Sequence, residues 1–201
     1  MTVSLTDRMY PISQMTRELL TISSVCLTVS SRQQNHKLSK FKSKNYPPVG
    51  EPAPNFSTVA VVDERIVNIK LTDYRGSYLV LFFYPRDFDS SCSSEIINFH
   101  ENVENFQKIG CKIAACSTDS EYCHLAWIRS LRCENGLDKF DFPLFADPVH
   151  IISKLYGVYQ EEQGFNLRAV FIIDNNGILR QMCISDIHWM KLSAQCRLCK
   201  L

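Results

Sequence analysis

The sequence predicts an α/β domain, a central mixed sheet flanked by helices, on three observations. Tyr78 to Tyr84 (YLVLFFY) is an unbroken apolar and aromatic run, the pattern of a strand buried on both faces. A helix-period segment and then a second apolar run, Cys111 to Ser117, follow it, and strand, helix, strand in that order implies a crossover and parallel pairing. Farther along, Ala169 to Ile173 and Ile178 to Ile184 flank Asn176-Gly177, the strongest short-range signal for an antiparallel hairpin. Parallel and antiparallel neighbours together make the sheet mixed.

The other elements can be read in order. Pro47 and Pro48 break any preceding regularity, so the domain is expected over residues 47–187, after a leader of residues 1–46 and before a short tail of residues 188–201. Thr58 to Val62 and Ile66 to Leu71 read as strands joined across Asp63-Glu64-Arg65. Pro85 ends the central strand because proline cannot donate to a ladder. After it, Ile96, Phe99, Val103 and Phe106 recur at spacings of three and four, with Glu101, Glu104, Asn105 and Lys108 on the other side, which predicts one amphipathic helix. Glu121 to Leu131 predicts another, with Leu125, Ile128 and Leu131 on its apolar face. Asp147 caps a further helix that runs through Tyr156 and ends at Gly157.

One residue sits where chemistry is favoured. The polar loop Arg86 to Ser91 delivers Cys92 to the first turn of the helix, just beyond the carboxyl end of the central strand. Unpaired amides and the positive end of the helix dipole stabilise an anion there, and the thiolate is the reactive form of cysteine. Position alone leaves a reactive thiol and a small core residue evenly balanced. The polar neighbours Asp89, Ser90, Ser91, Ser93 and Ser94, the rigid Pro85 and the nearby Glu95 favour the reactive thiol.

Composition excludes several classes. A net charge of +1 over 201 residues supplies no overall field for nucleic acid or an anionic membrane. The leader is basic, with seven Lys or Arg against Asp7 and Glu18, and rich in Ser and Thr. A transit peptide, a weak secretory signal centred on Leu19 to Val29, and an ordinary flexible arm all fit it. No stretch reaches the length of a membrane span. Nine cysteines, an odd number without framework spacing, argue for mostly reduced thiols, with Cys111, Cys116 and Cys183 read as packing residues. No cofactor or metal is expected. Cys196 and Cys199 lack the second ligand pair a zinc site needs, and His100, His124, His150 and His188 show no ligand spacing.

The segment FFYPRDFDSSCSSEI resembles the peroxidatic loop of the peroxiredoxins, most closely the typical two-cysteine group. The likeness continues in VGEPAPNF (Val49 to Phe56), LTDYRG (Leu71 to Gly76), HLAW (His124 to Trp127), ISKLYGVY (Ile152 to Tyr159) and RAVFIIDNNGILRQ (Arg168 to Gln181), all in the family's order. It covers the chain from about Pro48 to about Ile187. The resemblance implies a thioredoxin-like fold and a thiol peroxidase acting on hydrogen peroxide and organic hydroperoxides. Cys92 matches the peroxidatic cysteine and Arg168 the arginine beside it, with Pro85 shaping the loop and Glu95 orienting the arginine. The sulfenic acid formed on Cys92 would condense with another thiol and be regenerated by thioredoxin or a similar dithiol. Family members pair at the strand matching Ile178 to Ile184, so a homodimer is expected. Location is expected to be intracellular, in cytosol or mitochondrion, with the endoplasmic reticulum or secretion as the alternative.

Four departures qualify the match. Asp89 stands where the family has threonine or sometimes serine, so a carboxylate faces the thiol and the peroxide-binding hydroxyl is missing, with Ser90 as its substitute. Ser93 replaces the proline that usually follows the cysteine, and Asn135-Gly136-Leu137-Asp138 alters a glycine-rich segment. The sequence also departs after Ile187, where the family continues through a long helix and an arm bearing the resolving cysteine. Cys196 and Cys199, spaced C-x-x-C, are the remaining candidates for that role. These departures motivate an alternative: a catalytically impaired relative that acts as a binding, sensing or holdase-like module.

Overall fold

The computed structural model describes residues 46–138 and 140–186. The expected leader, apart from Tyr46, and the expected tail with Cys196 and Cys199 lie outside the described residues. Seven strands form one sheet in the order β2-β1-β5-β4-β3-β8-β9. They are β1 (Ser57–Val62), β2 (Arg65–Lys70), β3 (Tyr78–Phe83), β4 (Cys111–Ser117), β5 (Leu144–Ala146), β8 (Arg168–Ile173) and β9 (Leu179–Ser185). A separate two-stranded ribbon pairs β6 (Tyr159–Gln160) with β7 (Phe165–Asn166). The helices are α1 (Ser90–Glu101), α2 (Val103–Lys108), α3 (Glu121–Arg129) and α4 (Ile151–Leu155).

The central strand β3 pairs in parallel with β4 and antiparallel with β8, so the sheet is mixed as its sequence implies. Alternation along this strand explains why its run of apolar residues is unbroken. Val80, Phe82 and Tyr84 point to one face and pack with Cys92 and Ile96 of α1, Val103 and Phe106 of α2, and Trp127 and Ile128 of α3. Leu79, Leu81 and Phe83 point to the other and pack with Phe145, Ile152 of α4, Tyr156 and Phe171. Phe82 stacks on Phe99 with ring centroids 4.6 Å apart, and Phe83 meets Phe171 edge-on at 5.5 Å. Fully burying side chains of this size stabilises by roughly 1.5–3 kcal/mol each, which holds the Tyr84 end of β3 rigid.

The turns follow local chemistry. The β1–β2 hairpin closes on Asp63 and Glu64, both in the left-handed region at φ +48 and +57, the two-residue turn whose twist matches that of the flanking strands. Gly177 at φ +73 supplies the same conformation between β8 and β9. The Asp147 carboxylate accepts the N–H groups of Ile152 and Ser153 at 3.2 and 2.7 Å, anchoring α4, and Gly157 at φ +72 ends it.

The structure departs from the sequence reading at three elements. The predicted single helix after Cys92 is two. It breaks at Asn102, whose side-chain amide donates to the Asn98 carbonyl at 2.8 Å, a local bond that competes with the helix ladder. The buried face of α3 is His124, Trp127 and Ile128, and the expected Leu125 packs beside it. Leu131 lies past the helix end and is exposed, because Ser130 already has extended backbone. The three-residue strand β5, unread in the sequence, lies between β1 and β4.

Candidate active site

Cys92 is the third residue of α1, and the chain reaches it through the loop that leaves β3. Pro85 is buried at the strand end, and Phe88 takes a left-handed backbone at φ +58 before Asp89 caps the helix. The Asp89 Oδ1 accepts the Cys92 N–H at 3.0 Å, so the carboxylate caps the turn that carries the thiol. Glu95 lies one turn farther along the same helix, buried at 4% exposure.

Arg168 reaches this turn from the first residue of β8, the strand paired antiparallel with β3. Its Nε donates to both Glu95 oxygens, at 3.1 and 3.0 Å, and its terminal NH2 lies 3.6 Å from the Cys92 sulfur. The same nitrogen is 4.0 Å from Asp89 Oδ1. Cys92, Glu95, Arg168 and Asp89 are thus brought together around one sulfur, with Pro85 at the entrance of the loop. Ser90 opens α1 and is exposed. Cys196 and Cys199 lie outside the described residues.

The electrostatics of this arrangement are opposed. The Cys92 thiol is pushed up to about 12, with burial the largest influence. The Arg86 backbone N–H and the Arg168 guanidinium work against this rise, whereas the Asp89 carboxylate adds to it. Partial burial works to raise the Asp89 carboxyl itself, but the Cys92 N–H and the Arg168 charge outweigh it and hold the group below its ordinary value. Asp89 is therefore a fixed negative charge beside the sulfur.

Two arrangements lay outside the sequence reading. Ser93, buried at the start of α1, donates its hydroxyl to the Asn135 carbonyl at 2.7 Å, and Trp127 Nε1 donates to that carbonyl at 2.6 Å. The helix bearing Cys92 is thereby tied to the loop after α3 by a group a proline could not supply. Beneath the loop that follows β3, buried Tyr84, Asp87 and His124 form a polar network with half-buried Asp119. The only sequence signal for it was a Tyr and an Asp three apart at a strand end.

The model of the AhpC/TSA family matches residues 49–182. The chain belongs to that family. Among AhpC/TSA relatives, it is 49% identical over 139 residues to a thioredoxin peroxidase of Echinococcus granulosus, covering 69% of this chain and 72% of that one. It is 47% identical over 153 residues to human peroxiredoxin-4, covering 76% of this chain and 55% of that one, so it spans about half of that relative's length. The solved reduced 2-Cys peroxiredoxin of Plasmodium vivax superposes with a TM-score of 0.66 at 34% identity, covering 68% of this chain and 72% of that one. The fold is accordingly the thioredoxin-like fold of the peroxiredoxins.

Asp89→Thr is expected to lower the Cys92 thiol pKa, because threonine keeps a helix cap while removing the adjacent negative charge. Thiolate absorbance followed across a pH titration checks it, and an unchanged midpoint would show that Asp89 does not act on the sulfur.

Proposed function

We propose that this chain is a thiol peroxidase that reduces hydrogen peroxide and small organic hydroperoxides. The observation that carries the reading is the Arg168 NH2 group 3.6 Å from the Cys92 sulfur, with Glu95 holding the other edge of the guanidinium. The Cys92 thiolate attacks the terminal peroxide oxygen; a sulfur–oxygen bond forms as the oxygen–oxygen bond breaks, and hydroxide or alkoxide leaves and takes up a proton. Sulfur is oxidised by two electrons to the sulfenic acid, and the peroxide is reduced by two. Arg168 stabilises the charge that develops on the leaving oxygen, Glu95 orients Arg168, and Pro85 shapes the loop and excludes water. Asp89 tempers the rate without removing any member of this constellation, and Ser90 offers the hydroxyl nearest in sequence to the missing threonine.

The sulfenic acid condenses with a second thiol, releasing water, and Cys196 or Cys199 is the proposed partner. A dithiol such as thioredoxin then restores both thiols by exchange. The catalytic unit is residues 47–187, which enclose the matched segment. The named relatives support a peroxide substrate and a thioredoxin-type reductant. Free cysteines throughout the described residues favour a reducing intracellular compartment, cytosol or mitochondrion.

Pairing of two copies is proposed at β9, the last strand in the order of the described sheet, whose Leu179 end is bound by the backbone of Gly50 and Glu51. Sedimentation at micromolar concentration should give a dimer; monomer alone would contradict it.

Stopped-flow mixing with hydrogen peroxide should show turnover by the wild type and none above the uncatalysed rate for Cys92→Ser. Because Cys92 is pushed to about 12, the reactive fraction grows with pH, so the wild-type rate should climb about tenfold per pH unit between roughly pH 6 and 9. Matching traces for the two proteins would end the enzyme reading, and a plateau below neutrality would show a thiol already ionised.

A further inference from the structure

Behind the catalytic loop lies an ionic network that the proposed reaction does not use. His124 on α3 is fully buried, with Nδ1 2.7 Å from Asp87 Oδ2 and Nε2 3.1 Å from the Phe145 carbonyl oxygen. Asp87 Oδ1 accepts the Tyr84 hydroxyl at 2.8 Å, and the Asp87 N–H donates to Asp119 Oδ2 at 2.8 Å. Asp119 Oδ2 also accepts the Ser117 hydroxyl at 2.9 Å. A carbonyl oxygen only accepts, so Nε2 carries a proton. An ionised carboxylate likewise only accepts, so Nδ1 carries another. The ring that satisfies both contacts is the imidazolium.

The titratable groups around it are Asp87 from the loop, Asp119 from the end of β4, Tyr84 from the end of β3 and Cys123 on its own helix. Burial works against the charge, but the hydrogen bond and charge of Asp87, the Phe145 carbonyl and Asp119 outweigh it and raise the ring above its ordinary value. The buried pair is therefore held together at neutral pH.

Its position bears on catalysis. Asp87 sits between Arg86, whose N–H meets the Cys92 sulfur, and Phe88, whose left-handed backbone is strained for a residue with a side chain. Such a loop keeps its shape only if it is fastened. We propose that His124 is a positioning residue for peroxide reduction, a buried imidazolium that fastens Asp87 and through it the Pro85-to-Asp89 loop that presents the Arg86 N–H to Cys92. Its catalytic meaning rests on the peroxidase reading, whereas its charge state stands on the hydrogen-bond geometry.

The test has two arms. In the full chain labelled with 15N-histidine, His124, assigned by its disappearance in His124→Asn, should show two protonated ring nitrogens at pH values where an ordinary histidine is neutral. A bare Nδ1 in that range would place the proton on Asp87 and overturn the imidazolium. Next, Cys92 alkylation by iodoacetamide is followed by mass spectrometry across pH in the wild type, His124→Gln and His124→Asn. Asparagine places its amide donor where Nδ1 faces Asp87; glutamine, one methylene longer, places it where Nε2 faces the Phe145 carbonyl. Alkylation of Cys92 and turnover of peroxide should fall roughly 10- to 100-fold in His124→Gln, with most of the loss recovered in His124→Asn. An unchanged alkylation profile in both variants overturns the positioning role. If the peroxidase reading alone fails, the wild type does not turn over peroxide, yet the nitrogen signals and the alkylation shift remain.

Discussion

The Cys92 end of this molecule depends on the ion pair between Arg168 and Glu95. The pair crosses from β8 to α1, two elements more than seventy residues apart in sequence, and both side chains are largely removed from water. A buried guanidinium needs a carboxylate, and a buried carboxylate needs donors, so each makes the other tolerable. Because Glu95 takes the Nε edge, the NH2 group is left to face the sulfur. Breaking the pair would leave a buried charge unpaired and free the guanidinium to turn away, so stability and reactivity are tied to one contact.

Around this pair the site balances opposing demands on Cys92. Packing the cysteine into the core of the helical face fixes its geometry but disfavours the thiolate. The Arg168 charge and the Arg86 N–H favour it. Asp89 contributes to both sides, stabilising the helix start through its cap and disfavouring the anion through its charge. Threonine can cap without the charge, which is why this one residue stands out against the family pattern. Ser93 adds a second difference, trading the ring of a proline for a hydrogen bond that ties α1 to the Asn135 carbonyl.

Much of the fold was legible because it obeys short-range rules. The run Tyr78 to Tyr84 reads as doubly buried since every position meets one face or the other, and Asn176-Gly177 marks its turn by backbone preference alone. Cys92 stood out from its polar neighbours and its place before a helix. Arg168 was visible only through the family likeness, as nothing local to a strand start says which sulfur it will meet. Most of what escaped reading depends on partners distant in sequence. The strand β5 is three residues long and exists because β1 and β4 leave a slot between them. Asn102 interrupts a helix whose apolar spacing continues unbroken. The His124–Asp87 pair joins a helix to a loop thirty-seven residues away, and its meaning lies in the Phe145 carbonyl on the ring's other side.

The central claim is that oxidation is directed to Cys92 by its surroundings and not by general thiol exposure. The most direct measurement is to treat the protein with one equivalent of hydrogen peroxide in the presence of a sulfenic-acid trap and locate the adduct by mass spectrometry. The account predicts the adduct on buried Cys92, sharply reduced in Arg168→Gln, with exposed Cys133 unlabelled. An adduct spread over exposed thiols, or one on Cys92 that is indifferent to the loss of Arg168, would contradict it.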